Sequence, residues 1–218
     1  MKNFLIILLF TTALAAGCKD ANDEIYPVSY PDFDNLKVGN YWIYERFHLD
    51  SNGVYTALGV FDSTYVEKDT LINGQTYYKY MDDRFQTPPG YDAIFLRDSL
   101  HYLVDVGGQI LFSSQNFTDS LWLAYATFNS GNSDTICLIY RKMTDENTVV
   151  STPAGSFVTK NAQEVYSMYP GFDIGGKVRH LEHRYAENVG LVEETFPFFI
   201  GDKSKSYTVR RLVFQGHN

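Results

Sequence analysis

Residues that could bind a metal or transfer protons cluster once in this sequence, in RHLEHRY at 179–185. Side chains alternate along a β-strand, so His180 and Glu182 would face one side and His183 the other. This arrangement offers at most two ligands on one face, with no third at a recognisable spacing. We therefore interpret the segment as a polar strand that faces solvent, and we expect no metal or other cofactor.

Three further kinds of catalytic group can be weighed from the sequence. Ser156 in TPAGSF shows neither the strand-to-helix elbow nor the partner base that a serine nucleophile requires. Cys137 lies in an apolar run and is expected to be buried as a small hydrophobic residue. Acidic residues are plentiful, and a catalytic carboxylate pair would be set by the fold rather than by spacing in the chain. We expect no catalytic residue, and a hydrolase remains the third of three functional hypotheses.

The first 17 residues have the layout of a secretory leader: a basic Lys2, the apolar run FLIILLF, and small residues up to the Cys18 position. LAAGC at 14–18 resembles a bacterial lipobox, in which the cysteine is diacylated and becomes the mature N-terminus. Ala15 stands where lipoboxes usually have leucine. We expect Cys18 to anchor the chain in a membrane through its acyl chains. The alternative is an ordinary leader followed by an unmodified cysteine.

The acidic run KDANDE directly after Cys18 resembles the surface-export signal of Bacteroidota lipoproteins. Five Asp-Ser or Asp-Thr triplets, the first at 62–64, resemble the O-glycosylation acceptor of those bacteria, although such pairs are also good turn exits before strands. Both features predict an exported protein at the outer membrane, on its periplasmic or its cell-surface face.

Composition excludes some partners. The formal net charge is −8, and no basic stripe is present to neutralise phosphates, so we expect no nucleic acid partner. With Cys18 acylated, Cys137 has no cysteine left for an intramolecular disulfide, so the domain must be held together by burial. The 17 Tyr and 16 Phe residues favour a sheet-rich core.

Turn-forming residues recur between β-rich runs and predict hairpins along almost the whole chain. Asn73-Gly74 stands between two β-rich runs, where both turn positions need positive φ. Further hairpin turns are predicted at Asn52-Gly53, at Gly107-Gly108 and at the polar cluster 144–147. No long segment shows helical periodicity with caps. We predict an all-β, mainly antiparallel protein whose curved sheet closes to an open barrel or packs as a two-layer sandwich.

The predicted organisation is a leader at 1–17, a lipidated cysteine with an acidic tether at 18–35, and one β domain at 36–218. Pseudo-repeats are predicted at about 36–115 and 118–218, each with a Trp-led strand, a hairpin and a glycine-containing closing strand. Short aromatic and glycine patterns also recur in β proteins without duplication. Strand alternation puts Trp42 and Tyr44 on one face, and we expect Trp42 to lie in the core.

LKVGNYWIY, STPAGSFVT and AENVGLVEE together resemble a group of uncharacterised bacterial lipoproteins, common in Bacteroidota. These proteins open with a Leu-x-Val-Gly-x-x-Trp-x-Tyr strand and later carry a Pro-Ala-Gly-x-Phe turn and a Val-Gly-Leu-Val strand. The resemblance covers roughly residues 36 to 196. It implies an open barrel of the lipoprotein-carrier type, and it assigns no activity or site residue.

A ligand site, if present, is expected where three aromatic, glycine-rich loops form a rim, with Tyr91, Tyr169, Phe172 and Phe198 as its stacking residues. The first functional hypothesis is a non-catalytic binding or carrier lipoprotein for a small hydrophobic molecule, a lipid or a glycan. The second is an accessory interaction subunit of a cell-surface complex, whose protein partner the sequence does not identify.

Overall fold

The structure is a computed structural model that describes residues 29–83, 92–127, 135–198 and 206–216. The regular elements in this part of the chain are thirteen β-strands. They are β1 Tyr41–Leu49, β2 Tyr55–Ile72, β3 Gln75–Asp82, β4 Asp92–Ser99, β5 Tyr102–Asp105, β6 Ile110–Ser113, β7 Ser120–Thr127, β8 Thr135–Met143, β9 Thr148–Thr152, β10 Gly155–Met168, β11 Val178–Ala186, β12 Gly190–Thr195 and β13 Tyr207–Gly216.

These strands form one antiparallel sheet that curls almost into a closed barrel. The order is β6-β5-β4-β3-β2-β1-β13-β12-β11-β10-β8-β7, with β9 paired to β10. The first and last strands pair with each other in the middle of this order, and the two ends of the sheet meet at one unsealed seam between β6 and β7. The all-β prediction is therefore confirmed, and the barrel alternative describes the sheet.

Three hairpin turns lie at the Asn-Gly and Gly-Gly pairs that predict them. Asn73 and Gly74 both have positive φ, 50° and 79°, and join Ile72 of β2 to Gln75 of β3. Asn52-Gly53 turns between β1 and β2, and the Gly107-Gly108 pair turns between β5 and β6. These three hairpin predictions are confirmed.

The hairpin predicted at 144–147 is wrong. β8 and β9 do not pair with each other; both pair with the long strand β10, β9 with its first residues and β8 with its last ones. The backbone N–H of Thr144 donates to Asn161 at 3.0 Å, and the N–H of Asn161 donates to Asp145 at 3.1 Å. The polar cluster therefore interrupts one edge of a ladder, and the chain does not reverse there.

The motif residues meet around Trp42 in the core. The Trp42 indole N–H donates to the carbonyl of Val189 at 2.7 Å, and the Tyr44 hydroxyl donates to the carbonyl of Leu191 at 2.9 Å. Gly190, between them, has φ 97°, and an added Cβ there would lie 3.5 Å from the Trp42 ring. Glycine is favoured at this position by its backbone conformation, and an added Cβ would also lie 3.3 Å from the carbonyl oxygen of Asp34.

The STPAGSFVT motif also contributes to the core. Pro153 and Ala154 form the turn between β9 and β10, and Phe157 packs against the central hydrophobic cluster. Trp42 is 2% exposed, so its core placement is confirmed as well. Trp122, its predicted counterpart, lies on the terminal strand β7. The division into two repeats stays a prediction.

Residues 29–35, which the sequence assigns to the tether, pack against the barrel. Phe33 is buried against the ring of Phe112 at a centroid distance of 5.4 Å. The carbonyl of Asp32 accepts a hydrogen bond from the N–H of Asn188 at 2.6 Å. This segment, with the buried Leu36, covers the end of the barrel at which β1 begins, which we call the floor. The opposite end, where β1 ends, is the rim.

Candidate functional site

The barrel interior contains a cavity of about 320 Å³. It extends from Leu36 near the floor to Pro197, which follows β12 at the rim. Much of its wall is apolar, and the principal side chains are Leu36, Trp42, Ile94, Leu96, Leu103 and Leu181. This volume lies at the low end of the range of small-molecule pockets, which are usually apolar with a few placed polar groups.

A buried ionic belt crosses the cavity wall, and Arg210 on β13 is its centre. The side chain is 1% exposed, and its two terminal nitrogens donate to Asp82 at 3.0 and 2.9 Å. Glu194 lies 2.7 Å from the same guanidinium group. β3 and β13 are separated by β2 and β1 in the sheet, so the Arg210–Asp82 pair spans the curved interior.

His183 continues the belt across β11 to β10 and β8. Its Nδ1 lies 3.2 Å from Glu194, and its Nε2 lies 4.0 Å from Glu164. Glu164 in turn contacts the Arg141 guanidinium group and accepts a hydrogen bond from the Tyr166 hydroxyl at 2.9 Å. The belt therefore consists of Asp82, Arg210, Glu194, His183, Glu164 and Arg141.

The solvent-facing interpretation of RHLEHRY is wrong for one of its faces. The predicted alternation is present, and His180 is exposed, but Leu181, His183 and Tyr185 all line the cavity. The signal was the apolar pair Leu181 and Tyr185, two residues to either side of His183, because residues at that spacing share a face of a strand. The rest of the belt comes from five other strands, and no local pattern could have assembled it.

Burial and neighbouring charges set the protonation of the cavity. Burial opposes the charge of Arg210, but Glu194 and Asp82 outweigh it and raise the pKa of the guanidinium group. Burial also raises the pKa of Glu164, yet Arg141 and His183 act more strongly in the other direction and hold that pKa below its usual value. The belt is thus a set of mutually stabilised charges.

One carboxyl group of the cavity, that of Asp34, has a raised rather than a lowered pKa. Burial, followed by the nearby carboxylates of Asp98 and Asp32, raises the pKa of Asp34 to about 8. Burial likewise raises the pKa of Tyr80 to about 12, with the Asp82 carboxylate adding to the effect. Burial therefore favours the uncharged forms of the Asp34 carboxyl group and the Tyr80 hydroxyl group.

A smaller apolar pocket of about 160 Å³ adjoins the cavity and shares Pro197 with it. Its other lining residues include Cys137, Tyr166, Met168 and Phe198. Cys137 is buried, as predicted, and burial raises the pKa of its thiol. The Tyr166 and Phe198 rings meet edge to face at 5.1 Å, and the Arg179 guanidinium group lies 3.6 Å from the Phe198 ring.

β3, β10 and β12, the strands that precede the three predicted rim loops, all end at the rim. Phe198 lines the smaller pocket. Tyr169 is exposed and Phe172 half-buried, and both belong to the β10–β11 connection, outside the cavity lining. Tyr91, like Cys18, lies outside the described residues.

A bulge in β2 exposes apolar side chains at the rim end. Glu45 of β1 pairs with Phe61 and Phe47 with Ala57, so three residues of β2 stand opposite a single residue of β1. Leu58 and Phe61 are 47% and 54% exposed, and Val54, Tyr55 and Val60 extend the same apolar surface. We call this surface the β2 bulge.

Within the described ranges, no helix is long and apolar enough to cross a membrane. No group of three or more His, Cys, Asp or Glu side chains in those ranges is arranged to hold a metal ion. Ser63, inside the first predicted glycosylation triplet, lies within β2, and its hydroxyl donates to Asp83 at 2.9 Å.

No protein-family model matches the chain, and no curated protein matches it. Two solved structures are similar to it. One is a candidate lipoprotein from Parabacteroides distasonis, with 13% identity, 87% of this chain and 100% of that chain covered, and a TM-score of 0.46. The other is a candidate exported protein with a YmcC-like fold from Bacteroides fragilis, with 12% identity, 86% and 100% coverage, and a TM-score of 0.41. Likeness at these scores carries no argument about function.

Proposed function

We propose that this chain is an exported, lipid-anchored binding protein whose barrel interior holds one small, largely apolar molecule. The observation that carries the proposal is the interior cavity of about 320 Å³, with its apolar wall and buried ionic belt. A sugar would leave the leucine-rich wall without a matching surface, so we favour a hydrophobic or amphipathic ligand over a glycan.

Binding rather than catalysis is supported by the state of the ionisable groups. Asp82, Glu194 and Glu164 are each held by an arginine. Among them, Glu164 has a pKa lowered by Arg141 and His183, which makes it a poor general acid. The proposed membrane anchor is Cys18, which the sequence predicts to be acylated. The proposed export rests on the predicted leader at 1–17.

Native mass spectrometry of the full chain, purified in mild detergent, tests the proposal. We expect a stoichiometric small-molecule adduct on the wild type. Leu103→Trp should abolish the adduct, because Leu103 is buried and lines the cavity. Leu123→Trp is the matched control, since Leu123 is 55% exposed on β7. Equal adducts on both variants would place the ligand elsewhere. A wild type that shows no adduct and binds no apolar probe would refute the proposal.

A second function, as an interaction subunit, is favoured by the β2 bulge. Exposed apolar side chains grouped on one protrusion are typical of protein contact sites. Leu58→Ser with Phe61→Ser should remove a protein that is cross-linked to the chain in intact cells. Leu71→Ser is the control, because Leu71 is 71% exposed at the other end of β2. Retention of the same cross-linked protein by the double variant would count against this role.

A further inference from the structure

We propose that the ligand of the interior cavity is an apolar molecule with a cationic, amine-type head group. This inference rests on the proposed binding function and specifies the class of ligand. Three features of the cavity carry it: both lining arginines are already engaged by carboxylates, acidic side chains outnumber basic ones on the wall, and aromatic rings face the cavity.

The two arginines in the described lining already have carboxylate partners at their terminal nitrogens. Arg210 donates to Asp82 through both terminal nitrogens and also lies 2.7 Å from Glu194. Arg141 contacts Glu164 and donates to the carbonyl of Leu111 at 3.3 Å. A carboxylate ligand that paired with these terminal nitrogens would have to displace a protein carboxylate from them. That exchange would leave the displaced side chain buried and without its counter-ion.

The charge balance of the wall points in the same direction. Among the described lining residues, five side chains carry a carboxyl group, whereas two carry a guanidinium group. The five are Asp34, Asp82, Asp105, Glu164 and Glu194. Even with Asp34 protonated, the acids remain in excess. In a site shielded from water, a ligand anion is repelled by such a wall and a ligand cation is attracted.

Aromatic faces supply the second attraction. Trp42, Tyr80 and Tyr185 all line the cavity, and the Trp42 and Tyr80 rings meet at 5.9 Å. A desolvated cation over such rings gains from their negative faces. The protein already uses this interaction on the same wall, where the Arg210 guanidinium group lies 4.7 Å from the Tyr44 ring. An amine head group near these rings would leave its alkyl chain against the leucines of the floor.

Titration of the full chain in mild detergent with decylamine, decanol and decanoate tests this inference, because the three probes share an apolar chain and differ in charge. We expect decylamine to bind at least about tenfold more tightly than decanoate, with decanol between them. Decanoate binding as tightly as decylamine would overturn the ligand class and leave the binding function intact. Binding of none of the three would overturn both.

Substitution of one belt carboxylate identifies the source of the selectivity. Glu164→Gln releases Arg141 and removes an acid, so it should lower the preference for decylamine over decanoate by at least about threefold. Glu67→Gln is the matched control, because Glu67 pairs with Lys79 on the surface at 2.7 Å. If Glu164→Gln does not fold, as judged by thermal melting, Asp105→Asn replaces it, since Asp105 lies at the β5–β6 turn. An unchanged preference in the folded variant would contradict the inference.

Discussion

The ionic belt makes a quantitative prediction about stability. Asp82→Asn keeps the shape of the side chain but removes the charge that faces Arg210, an arginine that is 1% exposed. The perturbation leaves Glu194 in place 2.7 Å away, so the buried cation keeps one of its two carboxylate partners. The variant therefore measures how much of the belt's stability depends on the contact across the barrel.

The expected loss follows from the burial of the pair. Removing one partner of a buried ion pair costs about 3–5 kcal/mol, and the remaining Glu194 places this variant near 3 kcal/mol. For a chain of this length, about 3 kcal/mol corresponds to a fall of about 6–12 °C in Tm. Glu67→Gln removes an ion pair of similar length at the surface, where Lys79 lies 2.7 Å away. We expect no measurable change there, because solvent screens exposed pairs.

Urea unfolding, followed by tryptophan fluorescence and by circular dichroism, is the assay. Both probes should give the same transition, and Asp82→Asn should shift the midpoint without changing the slope. Equal midpoints for Asp82→Asn and Glu67→Gln would refute the reasoning, since the buried pair would then contribute no more than the exposed one. A changed slope would show that the substitution had altered the unfolded or the native ensemble instead.

Three further predictions concern single positions. Gly190→Ala should destabilise the protein by about 3 kcal/mol in urea unfolding, because an added Cβ at φ 97° lies only 3.3 Å from the backbone carbonyl oxygen of Asp34. Gly53→Ala at φ 80° meets open space and should cost about 1 kcal/mol, and equal losses would contradict this reasoning. Tyr44→Phe leaves a buried carbonyl without its donor and should cost about 1–2 kcal/mol in the same assay, and an unchanged midpoint would exclude that role. Burial raises the pKa of Asp34 to about 8, so the folded chain holds a proton that the unfolded chain releases, and stability should fall as pH rises from about 4 to about 8. Asp34→Asn should flatten this fall in Tm measured across that range, and an unchanged slope would assign it to other groups.

The fold was predictable where one short segment determines the local structure. Asn73-Gly74 accepts positive φ at both positions, and it specified the β2–β3 hairpin. The 144–147 cluster shows the limit of such reasoning, because a polar break is compatible with either a chain reversal or a ladder interruption. The ladder is interrupted rather than reversed because β10, with 14 residues, is long enough to pair with β9 and β8 in succession.

The candidate site was much less predictable than the fold. His183 stands beside Glu182 and Arg184 in the sequence, and this polar context suggested solvent. In a barrel, however, one face of every strand points inward, so a polar residue on that face is buried with whatever partners the other strands supply. Asp82 and Arg210 are separated by 128 positions in the chain, and only the closure of the sheet brings them together.

The motifs quoted from the sequence concern the closure of the barrel, and several of their residues, including Trp42 and Glu194, also line the cavity. Trp42 and Tyr44 each donate a hydrogen bond to a backbone carbonyl beside Gly190, and Phe157 packs against the same core. Proteins that share these motifs would therefore be expected to share the architecture. Their cavities can differ, because none of the belt residues belongs to the motif positions that make these contacts.

The unsealed seam lies between β6 and β7, the two terminal strands of the sheet. β1 and β13 pair in the middle of the strand order, and the other strands extend the sheet on both sides of this pair, to β6 at one end and β7 at the other. β6 has four residues and β7 has eight, so a full ladder cannot form between them. Side chains from β8 and β10 bond instead to the chain at β6: Arg141 donates to the carbonyl of Leu111 at 3.3 Å, and Lys160 donates to that of Ser114 at 2.9 Å. Arg141 also contacts Glu164, so the same side chain links the ionic belt to the strand beside the seam.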